Sequence, residues 1–255
     1  MSYPNTIYID ESTLYGDDHH ERCLAYIERF FQNSRPAGVY AVYVVGSVAT
    51  GDYMPGYSDL DIMIVTNGAK QIELMETLRQ MNEKLRIPSF HLHRAIDFPP
   101  PNLYINLRMH SEARLLYGQD LLEPLSEVSA ERLKEQLFAS LSHQVVMLRS
   151  LCCSRDVEEY TPDYTVYYAQ KMCLFGVRAW LSVLGDWNTQ RRHVIERVTS
   201  AEALLSPQNR TFFQVLLKQW AQKEYPETLA ERLRILHQTT HLLEEIQDRI
   251  LGNGQ

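Results

Sequence analysis

Val-Val-Gly-Ser-Val-Ala-Thr-Gly-Asp-Tyr-Met-Pro-Gly-Tyr-Ser-Asp-Leu-Asp-Ile-Met-Ile-Val, residues 44–65, is the stretch that decides the fold. It reads as strand, tight turn, loop and strand. The run Val39 to Val45 is apolar and rich in β-branched and aromatic residues, the pattern of a strand covered on both faces. It stops at Gly46-Ser47, where glycine permits close approach of a ligand and the amides of the Val48 to Thr50 turn point outward as an anion site. In the second strand, side chains two apart share a face. Asp59 and Asp61 therefore project together, while Leu60, Ile62 and Ile64 point into a core. Two carboxylates on one face suit a divalent cation, and magnesium takes one or two carboxylates together with substrate phosphates. Taken alone, Asp-x-Asp is more often a solvated strand end with Asp59 closing a Tyr57-Ser58 turn; here it follows a Gly-Ser turn.

Gly-Ser, eleven residues and then Asp-x-Asp, with a buried strand before and after, resembles the signature of the nucleotidyltransferase superfamily typified by DNA polymerase β. The likeness extends over residues 36 to 122. It is closest to small bacterial members, the aminoglycoside and minimal nucleotidyltransferases, and includes Ser58 and a later Leu115-Leu116-Tyr117-Gly118. The resemblance implies an α+β fold with a mixed-sheet nucleotidyltransferase domain at residues 1–122 and a helical domain at 123–255. It implies Asp59 and Asp61 as catalytic metal ligands for magnesium, and Gly46, Ser47 and Ser58 as nucleotide contacts. Family members usually present a third carboxylate on the next strand. This chain has His91 and His93 there, with Asp97 beyond, and of these His93 is expected as the base if the strand pairs level with the aspartates.

Composition sets the bounds. With 255 residues, 45% of them hydrophobic, the chain can bury a real core in one large or two ordinary domains. No stretch is long and apolar enough to span a bilayer and the start lacks a signal pattern, so the expected location is the cytoplasm. Four cysteines without metal-ligand spacing agree with that placement. A net charge of -7 weighs against long nucleic acid as a partner. A small-molecule or protein acceptor remains.

Along the chain, Asp17 or Asp18 caps a helix to about Asn33, with Cys23, Leu24, Ile27 and Phe30-Phe31 as its buried stripe. A second helix runs from Ala69 to Leu85, with Ile72, Met75, Leu78 and Met81 to Leu85 facing inward. A third strand, Ser89 to Ile96, alternates Phe90 and Leu92 with His91 and His93. Arg108 to Tyr117 reads as helical, and Glu123-Pro124 to Ser129 as a linker. His19-His20 reads as a solvated helix start.

The second half is helical. Ser129, Thr161-Pro162 and Ser206-Pro207 open helices, a shorter one covers Thr189 to Thr199, and the last runs from Glu227 to Leu251. The set predicts a bundle. The helix after Pro162 is apolar almost all round and should be buried, so Lys171 and Arg178 within it call for anionic partners. In related nucleotidyltransferases a basic residue of the second domain reaches the triphosphate, and Lys171 resembles it in placement. His237 and His241, one turn apart, could ligate a metal, and Arg232 with His237 resembles the Arg-His pair of HEPN ribonucleases. The usual reading of both is a polar helix face.

The function expected is transfer of a nucleoside monophosphate, AMP from ATP, to an acceptor hydroxyl with magnesium. The alternatives are a nucleotide-binding regulator or toxin-antitoxin component that has lost turnover, supported by the missing third carboxylate, and a ribonuclease that uses the helical half.

Overall fold

The computed structural model describes residues 18–54, 57–68, 70–86, 88–98, 103–122, 129–200 and 204–252. The chain divides into two compact units, residues 1–125 and 126–255. The expected boundary at 122/123 borders residues 123–128, which with Asp17 and the Pro99 to Pro101 break lie outside the described residues.

The first unit is built on a four-stranded sheet of order β3-β2-β1-β4, with β1 Val39–Val45, β2 Leu60–Thr66, β3 Pro88–Arg94 and β4 Arg114–Gly118. Strand β1 pairs antiparallel with β2 and with β4, whereas β2 and β3 run parallel. The parallel pair needs a crossover, and helix α3 (Gln71–Leu85) supplies it. Period-two alternation splits the sheet cleanly. Val42, Val44, Leu60, Ile62 and Ile64 are fully buried in one cluster with Cys23, Leu24, Ile27 and Phe31 of α1 (His19–Ser34) and with Leu74, Leu78, Met81 and Leu85 of α3. On the opposite face Ala41, Tyr43, Met63 and Val65 form a smaller cluster with Met109 of α4 (Leu103–Glu112). Tyr43 donates from its hydroxyl to Asp120 at 3.0 Å and accepts from the Leu121 amide at 2.6 Å, fastening the chain after β4 to β1.

Three expectations are corrected. Ile72 and Met75 are not inward: they are 84% and 54% exposed, because the stripe that meets the sheet is Leu74, Leu78, Met81 and Leu85. The segment expected as one helix to Tyr117 is helix only to Glu112. Residues 114–118 form the edge strand β4, whose Gly118 takes φ +88 where a Cβ would lie 1.9 Å from the Tyr40 carbonyl oxygen. The third strand ends at Arg94, and Ala95–Asp97 is a 3-10 turn.

The second unit is entirely helical among the described residues: α5 Ala130–Cys153, the short α6 Asp156–Glu159, α7 Pro162–Val183, α8 Arg191–Ser200, α9 Pro207–Gln222 and α10 Leu229–Leu251. The expected caps Ser129, Thr161 and Ser206 accept from backbone amides, and the last helix starts at Leu229 rather than Glu227 because Thr228 with Glu231 completes a capping box. Helix α7 runs through the middle, packed against α10, α9 and α5. Gly176 lies so close to α10 that a Cβ there would sit 2.5 Å from Leu243 Cδ2.

Candidate active site

The motif residues gather where β1 ends and β2 and β3 begin. After Val45 the chain turns at once into the five-residue helix α2 (Gly46–Thr50), closed by Gly51 in the left-handed region. Gly46 has φ +70, and a Cβ on it would lie 2.6 Å from Asp61 Oδ2. Val45 is the antiparallel partner of Asp61, so the carboxylate stands directly beside the backbone of Gly46. Only a glycine leaves room for it.

Asp59 is exposed just before β2, and the Asp61 side chain is 28% exposed. Both therefore open to solvent on the face opposite the helix-covered core. The field of Asp59 reaches two neighbours. It helps to raise the Tyr53 hydroxyl above its ordinary pKa, after burial and Cys23, and it helps to raise His91, after the Asp61 hydrogen bond. The loop between α2 and β2 is held by its own bonds: Ser58 Oγ accepts from the Met54 amide at 3.1 Å, and the Asp52 amide donates to the Ser47 carbonyl at 2.7 Å. Ser58 thus shapes the turn before the dyad. Ser47 stands in the first turn of α2, half-buried.

Register corrects the expectation for His93. In the parallel β2–β3 pair Asp61 faces Ser89, Met63 faces His91 and Val65 faces His93. His93 thus lies four residue pairs beyond the level of Asp61, with its ring edge-on to Phe98 at 6.5 Å. Burial, then the nearby charge of His91, pushes its pKa below the ordinary value. The histidine beside the carboxylates is His91, whose Nε2 is 3.4 Å from Asp61 Oδ1 and 3.3 Å from Ser89 Oγ. The other acid considered, Asp97, is bound by Arg94 Nε at 2.8 Å.

A further pair escaped the sequence reading. His20 is not a merely solvated helix start; its ring stacks on Tyr53 at 3.9 Å. The contact joins the start of α1 to the loop carrying the motif, across 33 positions, and no local sequence signal marks it.

A divalent cation fits the oxygen chemistry of Asp59 and Asp61 and the cleared backbone at Gly46. Among the described residues no three His, Cys, Asp or Glu side chains are gathered tightly enough to enclose an ion by themselves. A cation held by these two carboxylates would need the rest of its shell from substrate oxygens and water.

In the helical unit Lys171 is exposed, so it needs no buried counter-ion, and Arg178 is half-buried. Arg232 donates through Nη1 to the carbonyls of Val157, at 3.1 Å, and Tyr160, which commits it to holding α6. The His237 and His241 rings meet edge-on at 4.4 Å, with His241 Nδ1 3.0 Å from Glu244 Oε2. A concavity of about 840 Å³ between α9 and the first half of α10, lined by Phe212, Val215, Tyr225 and Ile235 among others, contains none of the motif residues.

Residues 24–112 match the family model of the nucleotidyltransferase domain. Among solved structures it is similar to the spectinomycin adenyltransferase AAD(9) from Enterococcus faecialis, crystallised with ATP and spectinomycin. The TM-score is 0.58 at 12% identity, over 88% of this chain and 99% of that one. Identity at that level speaks for the fold. No curated protein sequence matches the chain. Among the described residues no helix is long and apolar enough to cross a membrane.

Proposed function

We propose that this protein moves AMP from ATP to a hydroxyl of a small-molecule acceptor. The observation that carries the reading is Asp61 seated against the Cβ-free backbone of Gly46, with Asp59 at the open start of the same strand. The acceptor hydroxyl gives up its proton to solvent, its oxygen bonds to the α-phosphorus, the bond from that phosphorus to the oxygen bridging to the β-phosphorus breaks, and pyrophosphate leaves. Such a transfer asks the protein chiefly for positioning and electrostatic stabilisation. A divalent cation, magnesium as ATP ordinarily carries it, would neutralise charge on the triphosphate when bound.

Asp59 and Asp61 hold that end of the substrate. Gly46 and Ser47 bring backbone amides to the phosphates, and Ser58 fixes the turn that aims the dyad. The small-molecule acceptor is supported by the ligands named for the similar adenyltransferase.

The test is incubation of the pure protein with α-labelled ATP, magnesium and a panel of aminocyclitol, amino-sugar and protein acceptors. Label should move to a small molecule with equimolar pyrophosphate. Label on protein alone would contradict the acceptor class, and no transfer to any acceptor would favour the non-catalytic regulator.

A further inference from the structure

We propose that the cleft between α9 and α10 is a binding site for an amphipathic organic amine, whose apolar body lies on Phe212, Val215, Tyr225 and Ile235 and whose ammonium faces Glu224 and Glu227. The site belongs to the helical unit alone and does not depend on the nucleotidyl-transfer reading. Helices α9 and α10 both pack on α7, and the chain that joins them is held as a fixed wall. The Glu224 amide donates to the Gln219 carbonyl at 2.9 Å with Lys223 in the left-handed region, and Pro226 is buried. The Tyr225 ring stands 6.1 Å from Trp220, which in turn meets Tyr167 of α7 at 5.9 Å. The capping box of Thr228 and Glu231 likewise holds the first turn of α10. A preformed cleft of about 840 Å³ falls within the roughly 300 to 1,000 Å³ of small-molecule sites.

The lining selects a cation. Three carboxylates, Glu224, Glu227 and Glu231, stand against one guanidinium, Arg234. Glu231 is committed to the helix cap, accepting from the Thr228 amide at 3.1 Å, and lies in the field of Arg234. Glu224 and Glu227 are exposed, and among the described residues neither forms an ion pair. They repel an anionic ligand and attract an ammonium. The apolar share of the lining asks for more than a bare ion, because Val215 is 46% exposed on the cleft with the buried Phe212 and Ile235 in the same lining. Gln219 adds direction. It also lines the cleft, its Oε1 is buried without a hydrogen-bond partner, and an N–H on a ligand is the donor it lacks.

The measurement is fluorescence titration of the full-length protein, without nucleotide, with dansylcadaverine, which joins an aromatic body to a terminal ammonium. We expect saturable binding to a single site, with N-pentyl dansylamide, the same body without the charge, binding about tenfold more weakly. Glu224→Gln/Glu227→Gln should lose about tenfold in affinity for dansylcadaverine and nothing for the neutral probe. Val215→Arg sets a like charge on the apolar wall and should weaken the amine about tenfold or more. All three substituted residues are exposed, so both variants should keep the circular dichroism and melting of the parent. No saturable binding by the parent, or equal affinity for the charged and neutral probes, would overturn the proposal. So would an affinity for the amine that neither variant changes.

Discussion

Gly46 and Asp61 act as one unit. The carboxylate occupies the volume that any other side chain at position 46 would need, and φ +70 adds backbone strain of about 1 to 3 kcal/mol for a non-glycine residue. Gly46→Ala should therefore displace Asp61, lower the melting temperature by a few degrees and reduce nucleotide affinity about tenfold or more. Thermal melting and calorimetry with ATP check it, and affinity unchanged in Gly46→Ala would mean that Asp61 has no part in binding. The identity of these residues was legible in the sequence, since Gly-Ser followed by Asp-x-Asp carries its own spacing. The choice between His91 and His93 was not. Alternation shows that two histidines share a face, but which one stands beside Asp61 depends on register between strands separated by a whole helix.

At the scale of elements, legibility followed the strength of local signals. Caps with a side-chain oxygen, at Ser129, Thr161 and Ser206, gave helix starts that the structure reproduces. Where signals were weak, tertiary context won. Leu115 to Tyr117 continues an apolar run that suits a helix, yet β1 offers an unpaired edge and Gly118 can meet it, so the segment pairs as β4. Ile72 and Met75 are apolar but off the arc set by Leu74 and Leu78.

The packing of α9 on α10 supplies a prediction at this scale. Glu245 accepts from the Ser206 amide and hydroxyl at 2.7 Å each, from Asn209 Nδ2 at 2.6 Å and from Arg249 Nη2 at 2.8 Å, with its side chain 18% exposed. Burial alone would raise its carboxyl pKa, but the bonds from Ser206, Asn209 and Arg249 outweigh burial and hold it below the ordinary value. Glu245→Ala should cost about 3 kcal/mol at neutral pH, because it strands those donors. Since the folded pKa is the lower one, the ionised contribution is fully present above the unfolded value of about 4.3 and is lost as pH falls through the folded value. Denaturant midpoints of the parent and Glu245→Gln should accordingly converge as pH falls below about 4.3. A gap that stays constant with pH would show that the charge of Glu245 does not hold the α9 cap.

For the molecule as a whole, a sheet unit carries every residue of the Gly-Ser and Asp-x-Asp motif, and a helical unit of caps and apolar faces carries Lys171. The central claim is that the sheet unit is a working nucleotide site whose affinity depends on two carboxylates and a cation. Calorimetric titration of ATP, with and without divalent cation, into the parent and into Asp59→Asn/Asp61→Asn tests it most directly. The account predicts binding by the parent only with the cation, and loss of about two orders of magnitude in affinity in the folded double variant. Equal binding of ATP by both proteins, or binding by the parent that ignores the cation, would contradict it.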